Sequence, residues 1–165
     1  MPTAQVYLDP ELSVMLFLKQ NWSHTNPTGS AVKWTTSPIG EPTEFPQIQV
    51  TRRQRTPSLQ YRYGGDMIDL CIGTTPIYWI KQRLFIDLYV KPATASATSY
   101  GQAKQQRWNM IDEVRRILTY NPTGSKDIDF IELGGTIDAD ELQPRPDILH
   151  TRIGIICFGW RTGSG

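Results

Sequence analysis

The stretch Ile77–Val90 constrains the fold more than any other part of the chain. Leu84, Ile86, Leu88 and Val90 take every second position, while Lys81, Arg83 and Asp87 take the positions between, with Phe85 and Tyr89 among them. A period of two is that of a strand with one apolar and one partly solvated face, which is the usual pattern of an antiparallel sheet. Aromatics on the polar side also suit a sheet whose second face meets another subunit. Further strand signals surround this one. Gln47–Arg53 begins by alternating, with Ile48 and Val50 on one face; Ile68, Leu70 and Ile72 make another stripe; Ile128–Leu133 and Leu149–Trp160 follow later. The last has apolar residues on both faces and reads as a central or doubly covered strand. Thirteen glycines and twelve prolines cut the chain into short elements. Gly64-Gly65 and Gly134-Gly135 read as turn punctuation.

Two helices complete the pattern. Asp9 can cap the first, Pro10 fits its first position, and Glu11 suits its first turn. Leu12, Val14, Met15, Leu16, Phe17 and Leu18 then cover more than one helical face, so this helix must be buried on several sides, by its own domain or by a neighbour. It should end near Asn21 or Trp22, and Phe17 and Trp22 are candidate contacts to a neighbour. Residues 23–46 form a Ser/Thr/Pro/Gly-rich connection with a short strand at Ala31–Thr35. The second helix opens on Ser99 and Gln102, a Ser-x-x-Gln capping box, and stops at Asn121-Pro122. Trp108, Ile111, Val114, Ile117 and Leu118 make its apolar stripe; Lys104, Gln105, Asp112, Glu113, Arg115 and Arg116 fill the rest. The small polar segment 91–101 before it is expected to be mobile.

The element order is helix, three strands, helix, two strands, without a βαβ repeat. At 165 residues this is one domain, 1–165, with room for a real core. It is expected to be α+β: a mostly antiparallel sheet with two helices packed on it. A hydrophobic fraction of 39% and a charged fraction of 20% argue against wholesale disorder. Seventeen Lys and Arg against sixteen Asp and Glu argue against a strongly basic nucleic-acid binder. No apolar run approaches the ~18 residues of a membrane-spanning helix. The run Val14–Leu18 is too short for a secretory leader, so the chain is expected to be intracellular when made.

Catalytic patterns are scarce. There is no Gly-x-Ser-x-Gly elbow, no Walker loop and no Gly-x-Gly-x-x-Gly. His24 lies in a polar loop and His150 opens the last strand, where an edge or core imidazole is the ordinary role. Neither has metal-ligand spacing to Cys71 or Cys157, which read as small buried thiols whose pairing depends on strand adjacency. Asp127 and Asp129 suit strand-edge solubility, and Asp138, Asp140 and Glu141 lack the glycine and glutamate of a calcium loop. No catalytic residue, metal or cofactor is assigned.

Charge placement says more than charge total. Arg52, Arg53, Arg55 and Arg62 fall in a segment without acids; Asp127, Asp129, Glu132, Asp138, Asp140, Glu141 and Asp147 face only Arg145. Three readings stand: two solvated loops; head-to-tail self-association of basic on acidic segments, a contact that closes into rings; or phosphate binding by Arg52-Arg53-Gln54-Arg55 with Tyr61 and Tyr63.

In element order the chain resembles the tail terminator (tail-completion) proteins of long-tailed phages and tailed archaeal viruses. The resemblance lies in Leu84-Phe-Ile-Asp-Leu-Tyr-Val90 leading into Trp108-Asn-Met-Ile-Asp-Glu-Val-Arg-Arg-Ile-Leu118. It lies also in the closing Thr151-Arg-Ile-Gly-Ile-Ile-Cys-Phe-Gly-Trp160, and in the first helix joined by a loop to Pro46-Gln-Ile-Gln-Val50. It covers most of the chain and implies a virion protein, made in the host cytoplasm and located in the tail and neck. Such proteins form a hexameric ring on the head-proximal end of the tail tube. The implied partners are other copies of the chain, the tail tube protein, a neck or connector protein, and DNA passing through the lumen, with no membrane. No reaction is implied. The residues offered for the contacts come from the reading of the charges and first helix: Arg52, Arg53, Arg55, Asp138, Asp140, Glu141, Phe17 and Trp22. The alternatives are another head–tail joining protein, or a small enzyme or ligand-binding domain with a loop-built site.

Overall fold

The computed structural model describes residues 10–36, 42–52, 68–72, 75–120, 130–138 and 147–162. The chain runs α1 (Pro10–Asn21), β1 (Lys33–Thr35), β2 (Gln47–Arg52), β3 (Ile68–Ile72), β4 (Thr75–Val90), α2 (Ala97–Tyr120), β5 (Phe130–Asp138) and β6 (Leu149–Thr162). The α+β class and the element order are those expected, with the short Lys33–Thr35 strand preceding the other three. All six strands join one sheet in the order β1-β2-β4-β6-β5, with β3 pairing β4 beyond the end of β2. Every pairing is antiparallel except β1 on β2.

The register explains the core. Ile48 lies opposite Leu88 and Val50 opposite Ile86; Ile153 lies opposite Ile86 and Ile155 opposite Leu84. These residues share one sheet face, and all are buried with Val14, Leu18, Met110, Ile111, Val114 and Ile117 of the two helices. Alternation in the strands and the i, i+3, i+4 pattern in α2 therefore converge on one apolar layer. At about 1.5–3 kcal/mol for each large apolar side chain fully removed from water, this layer is the main source of stability.

Several local readings change. The cap of α2 is Ser96: the Ser99 N–H donates to Ser96 Oγ at 3.1 Å and the Tyr100 N–H to the Ser96 carbonyl at 3.0 Å. Capping one turn earlier gains a further turn of backbone hydrogen bonds through Ala97 and Thr98, so residues 97–101 are helix, not loop. Trp108 leaves the apolar stripe and is 51% exposed; Met110 takes the inner position and Glu113 is buried. Gly134 and Gly135 lie inside β5 rather than in a turn. There the register shifts from Leu133 opposite Ile155 to Thr136 opposite Ile153, so two residues face Gly154 alone. This β-bulge needs glycine at its first position, since a Cβ on Gly134 would lie 2.6 Å from the Gly154 carbonyl oxygen. β6 lies between β4 and β5, as its two apolar faces indicated. Cys157 is free and buried, and β3 and β6 lie on opposite sides of β4, so the strands of Cys71 and Cys157 are not neighbours. Asp9, Gly64-Gly65, Asp127 and Asp129 lie outside the described residues. Among the described residues, no helix is long and apolar enough to cross a membrane.

Candidate functional site

The sheet face turned away from the helices carries a compact polar cluster. Gln49 lies opposite Asp87, Tyr89 opposite His150, and Asp87 opposite Arg152. Asp87 was expected on a partly solvated face but is only 2% exposed, and Gln47, Gln49, Tyr89 and His150 are buried with it. His150 Nε2 lies 2.7 Å from Asp87 Oδ1, Arg152 Nε donates to the same oxygen at 2.8 Å, and Arg152 Nη2 donates to Oδ2 at 3.2 Å. Burial pushes the Asp87 carboxyl up; the hydrogen bonds from His150 and Arg152, with the guanidinium charge, outweigh it and hold the group below its ordinary value. The Tyr89 ring stacks on His150 with centroids 4.3 Å apart. Its hydroxyl is raised to about 12, first by burial and then by the Asp87 charge. Arg152 also lies over the Phe85 ring at 4.4 Å.

An Asp–His pair is the orienting half of a nucleophilic triad, but here the imidazole is stacked on Tyr89 and 5% exposed. Asp87 accepts from a histidine and an arginine at once, so the cluster ties β4 to β6 where their register must hold. Sequence reading did not single out this trio. The signals available were a lone acid between Ile86 and Leu88 and a lone imidazole opening an apolar strand.

A second buried acid pins the helices together. Glu113 on α2 accepts from the Ser23 N–H at 2.7 Å and Ser23 Oγ at 3.1 Å, and from Arg116 Nε and Nη2 at 2.9 and 2.7 Å. Arg116 Nη2 also donates to the Asn21 carbonyl at 2.9 Å, satisfying the C-terminal end of α1. The Arg116 hydrogen bonds first, and those of Ser23 after them, hold the Glu113 carboxyl down at about 2 against the opposing effect of burial. Asn109 Nδ2 donates to the Asn26 carbonyl at 2.8 Å, so the polar connection after α1 is fastened along α2. Among the described residues, no group of three or more His, Cys, Asp or Glu is gathered as metal ligands would be.

The residues proposed for contacts are distributed as follows. Phe17 is 7% exposed in the core, so the outward apolar surface of α1 belongs to Leu12 and Leu16, 44% and 41% exposed. Trp22 is half-buried, donates from Nε1 to the Pro27 carbonyl at 3.0 Å, and meets Trp34 edge to face at 5.4 Å. Arg53, Arg55, Asp140 and Glu141 lie outside the described residues. Arg52 ends β2 opposite Leu84, and Asp138 ends β5 opposite Thr151, which itself lies opposite Leu88. In the order β2-β4-β6-β5 these two positions are three strand spacings apart, about 14 Å, and four residues apart along the strands, about 13 Å. The strand ends at Arg52 and Asp138 thus lie on opposite sides of the β4–β6 pair.

A groove of about 620 Å³ lies at the end of the sheet, lined by residues 91–97, Tyr100 and Asp147. Lys91 Nζ stands 3.5 Å from Asp147 Oδ2 across its rim. Apart from that pair and Tyr100, its walls are alanines, a proline and short hydroxyl side chains. Against known proteins, no family model matches the chain, and no curated protein matches it.

Proposed function

We propose that the chain is a structural virion protein, a subunit of a homo-oligomeric ring that caps the head-proximal end of a viral tail tube. In this reading the ring docks a neck or connector protein on its other side and lets DNA pass without sequence readout. The observation that carries the reading is the placement of charge. Arg52, of the basic segment, ends β2 on one side of the β4–β6 pair, and Asp138, of the acidic segment, ends β5 on the other. Opposite charges on opposite sides suit a head-to-tail contact, and such a contact closes a ring when its rotation per copy closes. The helix layer supports it as well, since Leu12, Leu16, Trp108 and Tyr120 expose large apolar groups to solvent. The resemblance to tail terminators in element order supplies the place of the ring in the particle.

Electron microscopy of the purified chain, alone and with tail tubes, tests this. Six-membered rings seated on one end of tubes that stop growing are expected. Arg53→Glu should weaken assembly while the fold persists, and Asp140→Lys should restore it. A strictly monomeric chain in the assembled particle, or assembly indifferent to the Arg53 reversal and to salt, would refute the reading.

A further inference from the structure

The sheet face turned away from the helices changes character along β4 and β6. At one end it holds the buried Asp87 cluster. Arg83 and Phe85 alternate with Asp87 on β4, and Gly154 and Ile156 alternate with Arg152 on β6, so all of them lie on that face. Glu132 joins them from β5: it lies opposite Ile156, while its neighbours Ile131 and Leu133 belong to the core side. Phe85, Gly154 and Ile156 are half-buried; Arg83, Glu132, Gly134 and Gly135 are exposed. Farther along, Trp160 lies opposite Trp79, and Phe158 lies between Lys81 and Phe130; the same alternation assigns these positions to this face.

Across the strands the face is complementary to itself about β6. In one row Arg83, Ile156 and Glu132 stand side by side on β4, β6 and β5, at about 4.8 Å per strand. In the next row Phe85 stands on the β4 side of Gly154 and the Gly134-Gly135 bulge on the β5 side. Rotation by 180° about an axis along β6, in the plane of the face, exchanges the β4 and β5 sides and keeps every row in place. A second copy so rotated sets Arg83 over Glu132 twice, Ile156 over Ile156, and Phe85 over the side-chain-free bulge twice. The other two-fold in this plane, across the strands, sets Arg83 on Arg83 and Glu132 on Glu132, so the charges select the first. Arg152, about 13 Å along β6 from Ile156, is paired with Asp87 and lies over Phe85, so its charge does not oppose the contact.

We infer that two copies of this chain pack face to face through this surface, sheet on sheet, with Ile156 on the two-fold axis. The occupant is a second copy because the row Arg83, Ile156, Glu132 matches its own rotated image, which is what an isologous contact requires. Sheets packed in this way stand about 10 Å apart with their strands nearly aligned. The contact is separate from the head-to-tail one proposed above, since it uses the open sheet face and neither Arg53 nor Asp140.

The test is the concentration dependence of the full chain's mass by sedimentation, with each variant checked for folding by circular dichroism. Glu132→Arg should raise the dissociation constant about tenfold or more, because it sets two like-charge pairs across the contact, and Arg83→Glu should do the same. Both changes in one chain should recover most of the loss. In a Cys71→Ser background, Ile156→Cys should join two copies through a short bis-maleimide, whereas Lys104→Cys, exposed on α2, should not. A chain that stays monomeric at millimolar concentration overturns the inference, as do single reversals without effect, a loss that the combined variant fails to recover, or equal linking through Lys104→Cys. Linked pairs that persist once Arg53→Glu has abolished rings uphold the inference and remove the ring. Rings on tube ends whose Ile156→Cys copies never link overturn the inference and leave the ring intact.

Discussion

Replacing Glu113 by glutamine isolates the charge of the buried helix pin without changing its shape. The carboxylate is 4% exposed and accepts two bonds from Ser23 and two from Arg116. An amide keeps one acceptor for Ser23 and turns its NH2 toward the guanidinium, setting donor against donor. The magnitude follows from proton linkage. The folded carboxyl titrates at about 2 against an ordinary value of 4.5; at about 1.4 kcal/mol per pH unit the ionised form contributes about 3 kcal/mol. Arg116 is 40% exposed, so screening lowers the expected cost of Glu113→Gln to about 2–3 kcal/mol at pH 7. A depressed carboxyl contributes stability that is fully present above the unfolded value and is lost as pH falls through the folded one. The gap between wild type and Glu113→Gln should therefore hold from pH 7 to about 5, narrow from there, and close near pH 2. Urea titrations of both proteins across that range measure it. A gap below about 0.5 kcal/mol at pH 7, or one that does not narrow in acid, would show that the pin does not depend on ionised Glu113.

Three further outcomes are expected. Asp87→Asn keeps one acceptor oxygen but removes the charge shared by His150 and the 40%-exposed Arg152, and should cost about 2–3 kcal/mol at pH 7, read as a lower urea midpoint. Gly134→Ala should cost about 1–3 kcal/mol because its methyl meets the Gly154 carbonyl; Gly135→Ala, with nothing within 4 Å, should be near neutral, and equal thermal shifts for the two would refute the bulge. The Cys157 thiol, raised to about 12 by burial, should resist a thiol reagent at pH 8 in a Cys71→Ser background until denaturant is added; prompt labelling would contradict its placement.

The strands that alternate cleanly were legible in the sequence, and so was the apolar face of α2 from Ile111 to Leu118. In each of these the period of the side chains equals the period of the backbone, so local order and burial agree. Leu149–Trp160 was legible as a central or doubly covered strand because it carries apolar residues on both faces, and β6 lies between β4 and β5. The basic and acidic segments could be found by counting, but not that Arg52 and Asp138 end strands on opposite sides of the β4–β6 pair, which depends on strand order. Asp87, His150, Arg152, Glu113 and Gly134 owe their roles to partners 20 to 90 residues away. A polar residue's own neighbours in sequence predict exposure; only a distant donor or backbone brought alongside by the fold can repay its desolvation and reverse that expectation. Local periodicity thus set which elements form and which faces turn inward. Long-range pairing alone decided which charged groups are buried, where the sheet bulges, and which helix residues remain open to a neighbour.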